Sequence, residues 1–317
     1  MSTRPTLLFC LGISTAALLV SVSVSGTTSA GTDTEAASSL AGEDKQVIIE
    51  NNVQWRQRRD AGLRREHGWL TLVGLEWLNE GENRVGVAAE NGVVIPGGPD
   101  FWGTIFLEGD SLRFERAEGA DVLVDGALVE AAELLADNAG EPTVVQSGTL
   151  TFHVIFRESY GVRVSDSQAA TRVNFQGIDN FPIQPDWRVE GQLIPAAEGE
   201  TIEIGNVLGQ VSDTPVFGRF EFERDGESYQ LIGLGDETSD TLWFIFSDRT
   251  SGHGTYGAGR FLYSEGLPEN GRLVVDFNKA YNPPCAFNDY STCPLPPQEN
   301  RIKLAVTAGE KDFHPRE

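Results

Sequence analysis

The sequence predicts a mainly β protein, made of antiparallel sandwich- or barrel-like units behind one N-terminal helix. Three observations carry that expectation. From Asn83 onward, apolar and polar residues alternate in short runs rich in Val, Ile and Phe, the period-two pattern of half-buried strands. Gly, Asn, Asp and Pro separate these runs, in a chain of 317 residues with 35 Gly and 15 Pro. No long helical periodicity follows residue 80, and no repeat of fixed period points to a propeller or solenoid.

The elements follow in chain order. Residues 1–30 read as an export signal: Arg4 precedes "LLFCLGISTAALLVSVSVSG", no charge falls between Pro5 and Gly31, and small residues around Ala30 suit cleavage. An uncleaved anchor is the alternative, because the apolar run nearly reaches bilayer length. Cys10 lies too close to the start to serve as a lipid-attachment cysteine. Residues 31–42 are a small, polar linker expected to be disordered. Within 43–82, Glu43–Glu66 is expected to be helical, with Ile48, Ile49, Val53 and Trp55 as its apolar stripe and Arg56, Arg58, Arg59, Arg64 and Arg65 as a basic cluster. That cluster suits an ion-paired helix face or an anion site. After it, Trp69, Leu72, Leu75, Trp77 and Leu78 are candidate core.

Residues 83–157 form the first, sandwich-like β half, with "GTIFLE", "SLRFER" and "LTFHVIFR" among its strands. Its opening loosely resembles that of forkhead-associated domains, although their phosphothreonine-reading Ser and His are not evident. Residues 158–317 form a second β unit, from "SYGVRVSD" to "RIKLAVTAGE", with a hairpin turn at Arg224-Asp225-Gly226. "TFHVIFRESYGVRV" suits two strands of one sheet, so the two halves share a core if the sheet continues there.

The net charge is −23, from 24 basic and 47 acidic residues. Such a surface repels phosphate backbones and anionic lipids, so neither nucleic acid nor a membrane beyond the export segment is an expected partner. It favours solubility or a cationic partner; nothing in the sequence fixes an oligomeric state. A nucleophile elbow, a zincin helix, a Walker loop and a dinucleotide fingerprint are all absent, and only four histidines are present. No cofactor or metal is expected. Once a signal is removed, Cys285 and Cys293 remain, and an exported chain with two closely spaced cysteines suggests a disulfide closing a proline-stiffened loop. A metal half-site fits poorly, lacking CxxC spacing and a nearby histidine.

Two segments carry candidate chemistry. In "FSDRTSGHGTYGAGRFLY", Asp248, Thr250, His253, Tyr256 and Arg260 lie on a glycine-rich loop that lets backbone approach a ligand. In "DFNKAYNPPCAFNDYSTCPLPPQENR", Asp276, Asn278, Tyr281, Asn282 and Asn300 lie on a stiff polar loop. If "LWFIF", "GRFLY" and "LVVDF" run up, down and up, Asp248 and Asp276 emerge at one sheet end with Arg260 between them. That arrangement is either a structural lock or half of a ligand site. A third element, Arg157 and Arg163 before Asp166, suits intramolecular ion pairing or a clamp on a carboxylate or phosphate.

These segments, with "GWLTLVGLEWLNEGEN" and "YGVRVSD", resemble a bacterial and archaeal family of unknown function, numbered 1684 among such families. The resemblance spans most of residues 54–310 and implies no catalytic role for any residue. Three function classes stay open. One is an exported protein binding a small polar ligand at 248–260 and 276–301. Another is a hydrolase using Asp248 or Asp276 with His253 or Arg260. The last is a structural envelope protein without a site.

Overall fold

The computed structural model describes residues 45–314. The export segment, the linker and the first residues of the expected helix lie outside the described residues. The chain opens with α1 (Lys45–Leu63), followed by β1 (Leu72–Trp77), β2 (Gly81–Gly86), β3 (Val93–Val94), β4 (Gly103–Glu108), β5 (Ser111–Arg116), β6 (Leu123–Val124), β7 (Ala131–Glu133), β8 (Val145–Ser147), β9 (Leu150–Arg157) and β10 (Ser159–Asp166). After the short α2 (Ala170–Val173) come β11 (Arg188–Pro195), β12 (Thr201–Gly205), β13 (Val211–Arg224), β14 (Glu227–Leu234), β15 (Trp243–Phe246), β16 (Arg260–Tyr263) and β17 (Arg272–Asp276). Among the described residues every ladder is antiparallel except the two-residue β2–β3 pairing. The mainly β expectation therefore holds.

Two five-stranded sheets, ordered β1-β10-β9-β8-β6 and β3-β2-β4-β5-β7, face each other as a sandwich. Period-two burial explains the packing: Phe152, Val154, Val162 and Val164 point inward against Trp102, Ile105 and Phe114 of the other sheet. The alternate residues of β9 and β10, including His153, Arg157 and Arg163, take the outer face. β9 and β10 form one continuous hairpin, so the first sheet runs on through Asp166.

The later strands run β16-β15-β14-β13-β11-β17, with β12 on β13. A bridge between Ser264 and Val275 brings the two ends together, curling the sheet into a half-barrel. Its core holds Phe220, Phe222, Phe244, Phe246, Phe277 and Trp187. The β13–β14 hairpin turns at Asp225 and Gly226, both at positive φ (54° and 80°), as a tight two-residue turn requires.

Three expectations differ from the fold. Helix α1 buries Ile48, Asn52 and Leu63, while Val53 is exposed. Its inward face is largely polar because it lies on carboxylates and carbonyls of the half-barrel. Trp69 is 41% exposed rather than core. Finally, "RIKLAVTAGE" alternates in burial like a strand, with Ile302, Leu304, Val306 and Ala308 in the half-barrel core, yet forms no ladder. Its alternation comes from packing as an extended plug.

Asn300 joins that plug to the sheet. Its side chain accepts from the Ile232 N–H at 2.6 Å and donates to the carbonyls of Ile232 and Ile245, both at 3.0 Å. It serves as a substitute strand residue between β14 and β15. Each buried group left unpaired costs about 1–3 kcal/mol. Asn300→Leu is therefore expected to lower the unfolding free energy by about 3 kcal/mol or more in urea titration. A change within about 0.5 kcal/mol, as at ordinary surface sites, would mean the strands carry themselves.

Candidate functional site

The glycine-rich loop is a closed network. Asp248 and Arg260 pair at 2.8 Å with both side chains wholly out of water. Asp248 Oδ1 also accepts from the Thr250 N–H (2.7 Å), the Thr250 hydroxyl (2.6 Å) and the Val306 N–H (3.2 Å). Arg260 donates to the carbonyls of Val306, Ala308 and Glu310. Its pKa is lowered by burial, which Asp248 opposes. Gly259, at φ 98°, serves packing rather than a ligand: a Cβ there would stand 2.5 Å from the Phe246 carbonyl and 2.6 Å from Pro296. His253 is exposed on the turn, its backbone N–H on the Thr250 carbonyl. Among the described residues, no carboxylate lies in ion-pair range of its imidazole.

The second segment is also largely self-satisfied. Asp276 does not join Asp248 around Arg260. It accepts from Asn52 Nδ2 at 2.7 Å and from the Asn278 N–H at 3.0 Å, with Lys279 at 3.7 Å. Asn278 exchanges bonds with the Gln184 backbone. Asn282 donates through Nδ2 to the Lys311 carbonyl and through its N–H to Glu310. Glu310, fully buried, pairs with Arg59 at 2.9 Å; burial raises its pKa and Arg59 opposes that shift. The Tyr256 hydroxyl donates to the Cys285 carbonyl, and burial pushes its pKa up to about 12.

The expected disulfide is not formed: Cys285 and Cys293 are free thiols. The Cys285 N–H donates to Cys293 Sγ at 3.1 Å. Asn288 closes the loop instead, accepting from Tyr290 N–H and the Ser291 hydroxyl and donating to the Pro284 and Trp69 carbonyls. Polar bonds thus supply the closure that proline stiffness and spacing suggested a bridge would make.

Of the ten ligand candidates, only Tyr281 reaches a sizeable cleft, with Cys293 beside it. This cleft, about 460 Å³, lies where the outer face of the first sheet meets the half-barrel and the 281–294 loop. Arg157 and Arg163 enter from β9 and β10, and Arg59 from α1. Arg157 makes a two-pronged pair with Asp137, at 3.1 and 2.9 Å. Arg163 is different. It is 5% exposed, with no carboxylate partner among the described residues, and its Nε has no hydrogen bond. Its Nη2 donates to the Thr292 hydroxyl at 3.4 Å, and the same hydroxyl accepts from Arg157 Nε at 3.2 Å. Burial, then the neighbouring Arg157, lowers the Arg163 pKa. Two guanidiniums around one neutral hydroxyl repel each other, and an anion between them relieves both costs.

His153 stands across from Arg163 in the β9–β10 ladder. Burial, then Arg163, lowers its pKa to about 4. The aromatic wall of the cleft includes Trp243, Tyr263 and Tyr281. The sequence singled out Arg157, Arg163 and Tyr281, but not Trp243, Tyr263 or Arg59's place beside them. Their alternation in strands and helix was visible, but not their convergence.

A family model described as "Protein of unknown function (DUF1684)" matches residues 173–311. No curated protein matches the chain. A solved solution NMR structure of an uncharacterized Haloarcula marismortui protein is 33% identical over 44% of this chain and 78% of that one, with a TM-score of 0.37.

Two predictions follow from these networks. Arg260→Ala strands the buried Asp248 carboxylate, so a loss of about 3–5 kcal/mol is expected in chemical denaturation. Near-normal stability would remove the structural role of the pair. For His153, the unfolded chain takes up a proton near pH 6.5, whereas the folded chain resists until about pH 4. Its contribution is intact above pH 6.5 and is lost as the pH falls towards 4, by an amount on the order of 3 kcal/mol. His153→Gln should flatten the stability profile between those pH values relative to the parent. Parallel profiles for parent and variant would refute this.

Proposed function

We propose that this chain, which belongs to the DUF1684 family through residues 173–311, is an exported binding protein for a small organic anion held in the cleft between sandwich and half-barrel. The observation that carries the reading is Arg163: a guanidinium 5% exposed, lacking a carboxylate partner among the described residues, on the wall of a cleft of about 460 Å³. Burying such a charge costs free energy unless a counter-charge arrives. That volume lies within the range of small-molecule sites. In the loop at 248–260, Asp248, Thr250, Tyr256 and Arg260 are taken up by other protein groups, whereas Tyr281, Ser291, Thr292 and Cys293 of the other segment line the cleft. Export rests on the uncharged, apolar character of residues 5–31.

The hydrolase alternative has less support. Asp248 receives four donors, Arg260 among them, so it is poorly placed as a general base, and His253 sits apart on an exposed turn. A purely structural role leaves the buried Arg163 charge without a purpose.

The test is a thermal-shift and titration series with acetate, inorganic phosphate and small aromatic carboxylates, at constant ionic strength. A ligand at about 100 times its Kd should add about 2.7 kcal/mol of stability. Arg163→Gln should abolish the response. If no anion at tens of millimolar shifts the transition, or if Arg163→Gln responds as the parent does, the reading fails.

A further inference from the structure

The cleft's own chemistry narrows the ligand. Resting on the reading of the cleft as an anion site, we propose that its ligand class is an aromatic monocarboxylate, with the carboxylate on Arg163 and the ring on the Trp243–Tyr263–Tyr281 shelf.

Charge sets the first part. Three guanidiniums border the cleft, but two are already neutralised: Arg59 by Glu310 at 2.9 Å and Arg157 by Asp137 at 3.1 and 2.9 Å. One positive charge, that of Arg163, is left over. A single uncompensated guanidinium suits a monoanion, and a planar fork suits a planar carboxylate. A phosphate dianion would bring a second negative charge with nothing free to meet it. Trp69, 41% exposed, lies 5.9 Å from the Arg163 guanidinium and covers this end of the cleft with an aromatic face.

The rings set the second part. Trp243 and Tyr263 lie with their planes 19° apart, Tyr263 and Tyr281 17° apart, each pair with centroids 6.3 Å apart. Three neighbouring rings therefore share nearly one orientation, as a stepped shelf. Phe261 holds the shelf from the side, edge-on to Trp243 at 79° and to Tyr281 at 87°. Tyr263 is 47% exposed, so the middle step is open to a ligand. Near-parallel rings of this kind accept another flat ring in offset stacking.

The rest of the wall sets the third part. Among the described residues no Asp, Glu, Asn or Gln side chain lines the cleft, although the chain has 47 acidic residues. Sugars need such groups to satisfy their hydroxyls, and amines need carboxylates. Ser291 and Thr292 are the short hydroxyl side chains present, and Thr292 already accepts from two guanidiniums. A flat apolar body with one negative end suits such a lining.

The experiment titrates the purified full chain with six probes at fixed ionic strength and pH 7.5, by calorimetry and tryptophan fluorescence. Benzoate and 3-phenylpropanoate carry both ring and charge. Acetate and inorganic phosphate carry charge alone, benzyl alcohol a ring alone, and glucuronate a charge on a saccharide. The better aryl carboxylate is expected to bind at least tenfold more tightly than acetate, phosphate or glucuronate, with benzyl alcohol undetected. Tyr263→Ala, at an exposed position, should cut that advantage at least fivefold while leaving acetate unchanged. Trp69→Phe should diminish the ligand-dependent fluorescence change, which locates the ligand even if Arg163→Gln does not fold. Acetate or phosphate binding as tightly as the aryl acids, or glucuronate binding more tightly, would overturn the aromatic class and leave the anion site standing. No binding by any anion would overturn both.

Discussion

The buried pair of Asp248 and Arg260 is the constraint on which much of the half-barrel depends. Neither side chain touches water. A charge in that position is tolerated only when every neighbouring group cooperates. Arg260 therefore gathers the carbonyls of Val306, Ala308 and Glu310, while Asp248 takes the Val306 N–H. These bonds do for residues 302–310 what a ladder does for a strand. They hold an extended segment with no sheet partner against the core, so that Ile302, Leu304, Val306 and Ala308 can fill it.

The same segment delivers Glu310 to α1. Glu310 receives Arg59 and the Asn282 N–H, and Asn52, about two turns earlier on the same helix, reaches Asp276. The helix is thus tied down by polar contacts rather than by an apolar stripe. One consequence appears in the cleft. Arg59, held by Glu310, lies 4.8 Å from the Tyr281 ring and helps fix one end of the aromatic shelf. The charge balance of the cleft is consequently set by residues at the far ends of the described chain. Arg163 escapes this neutralisation because its strand partner is His153, which burial and Arg163 itself keep neutral at ordinary pH.

Strands are readable locally, since side chains alternate across a pleated sheet whatever the sheet packs against. "GTIFLE", "SLRFER", "LTFHVIFR" and "LWFIF" were legible for that reason, as was the Asp225-Gly226 turn, whose positive φ values select those residues. The sequence also marked Arg157 and Arg163 as an ion-pairing element or an anion clamp, and Asp248 with Arg260 as a structural lock or half of a ligand site. Which of these polar residues are spent on one another depends on contacts made across the fold. Asp276 is bonded not to Arg260 but to Asn52 of α1, 224 residues away in the chain. Asn300, Asn278 and Asn282 were absorbed by backbone groups that local sequence does not place. The two cysteines stand as free thiols in contact, the Cys285 N–H donating to Cys293 Sγ. Arg163 has no carboxylate partner among the described residues and shares its cleft with rings from other segments. Whether a buried charge finds its counter-charge depends on contacts between residues remote in the chain, and alternation, which is a local property, carries no information about them.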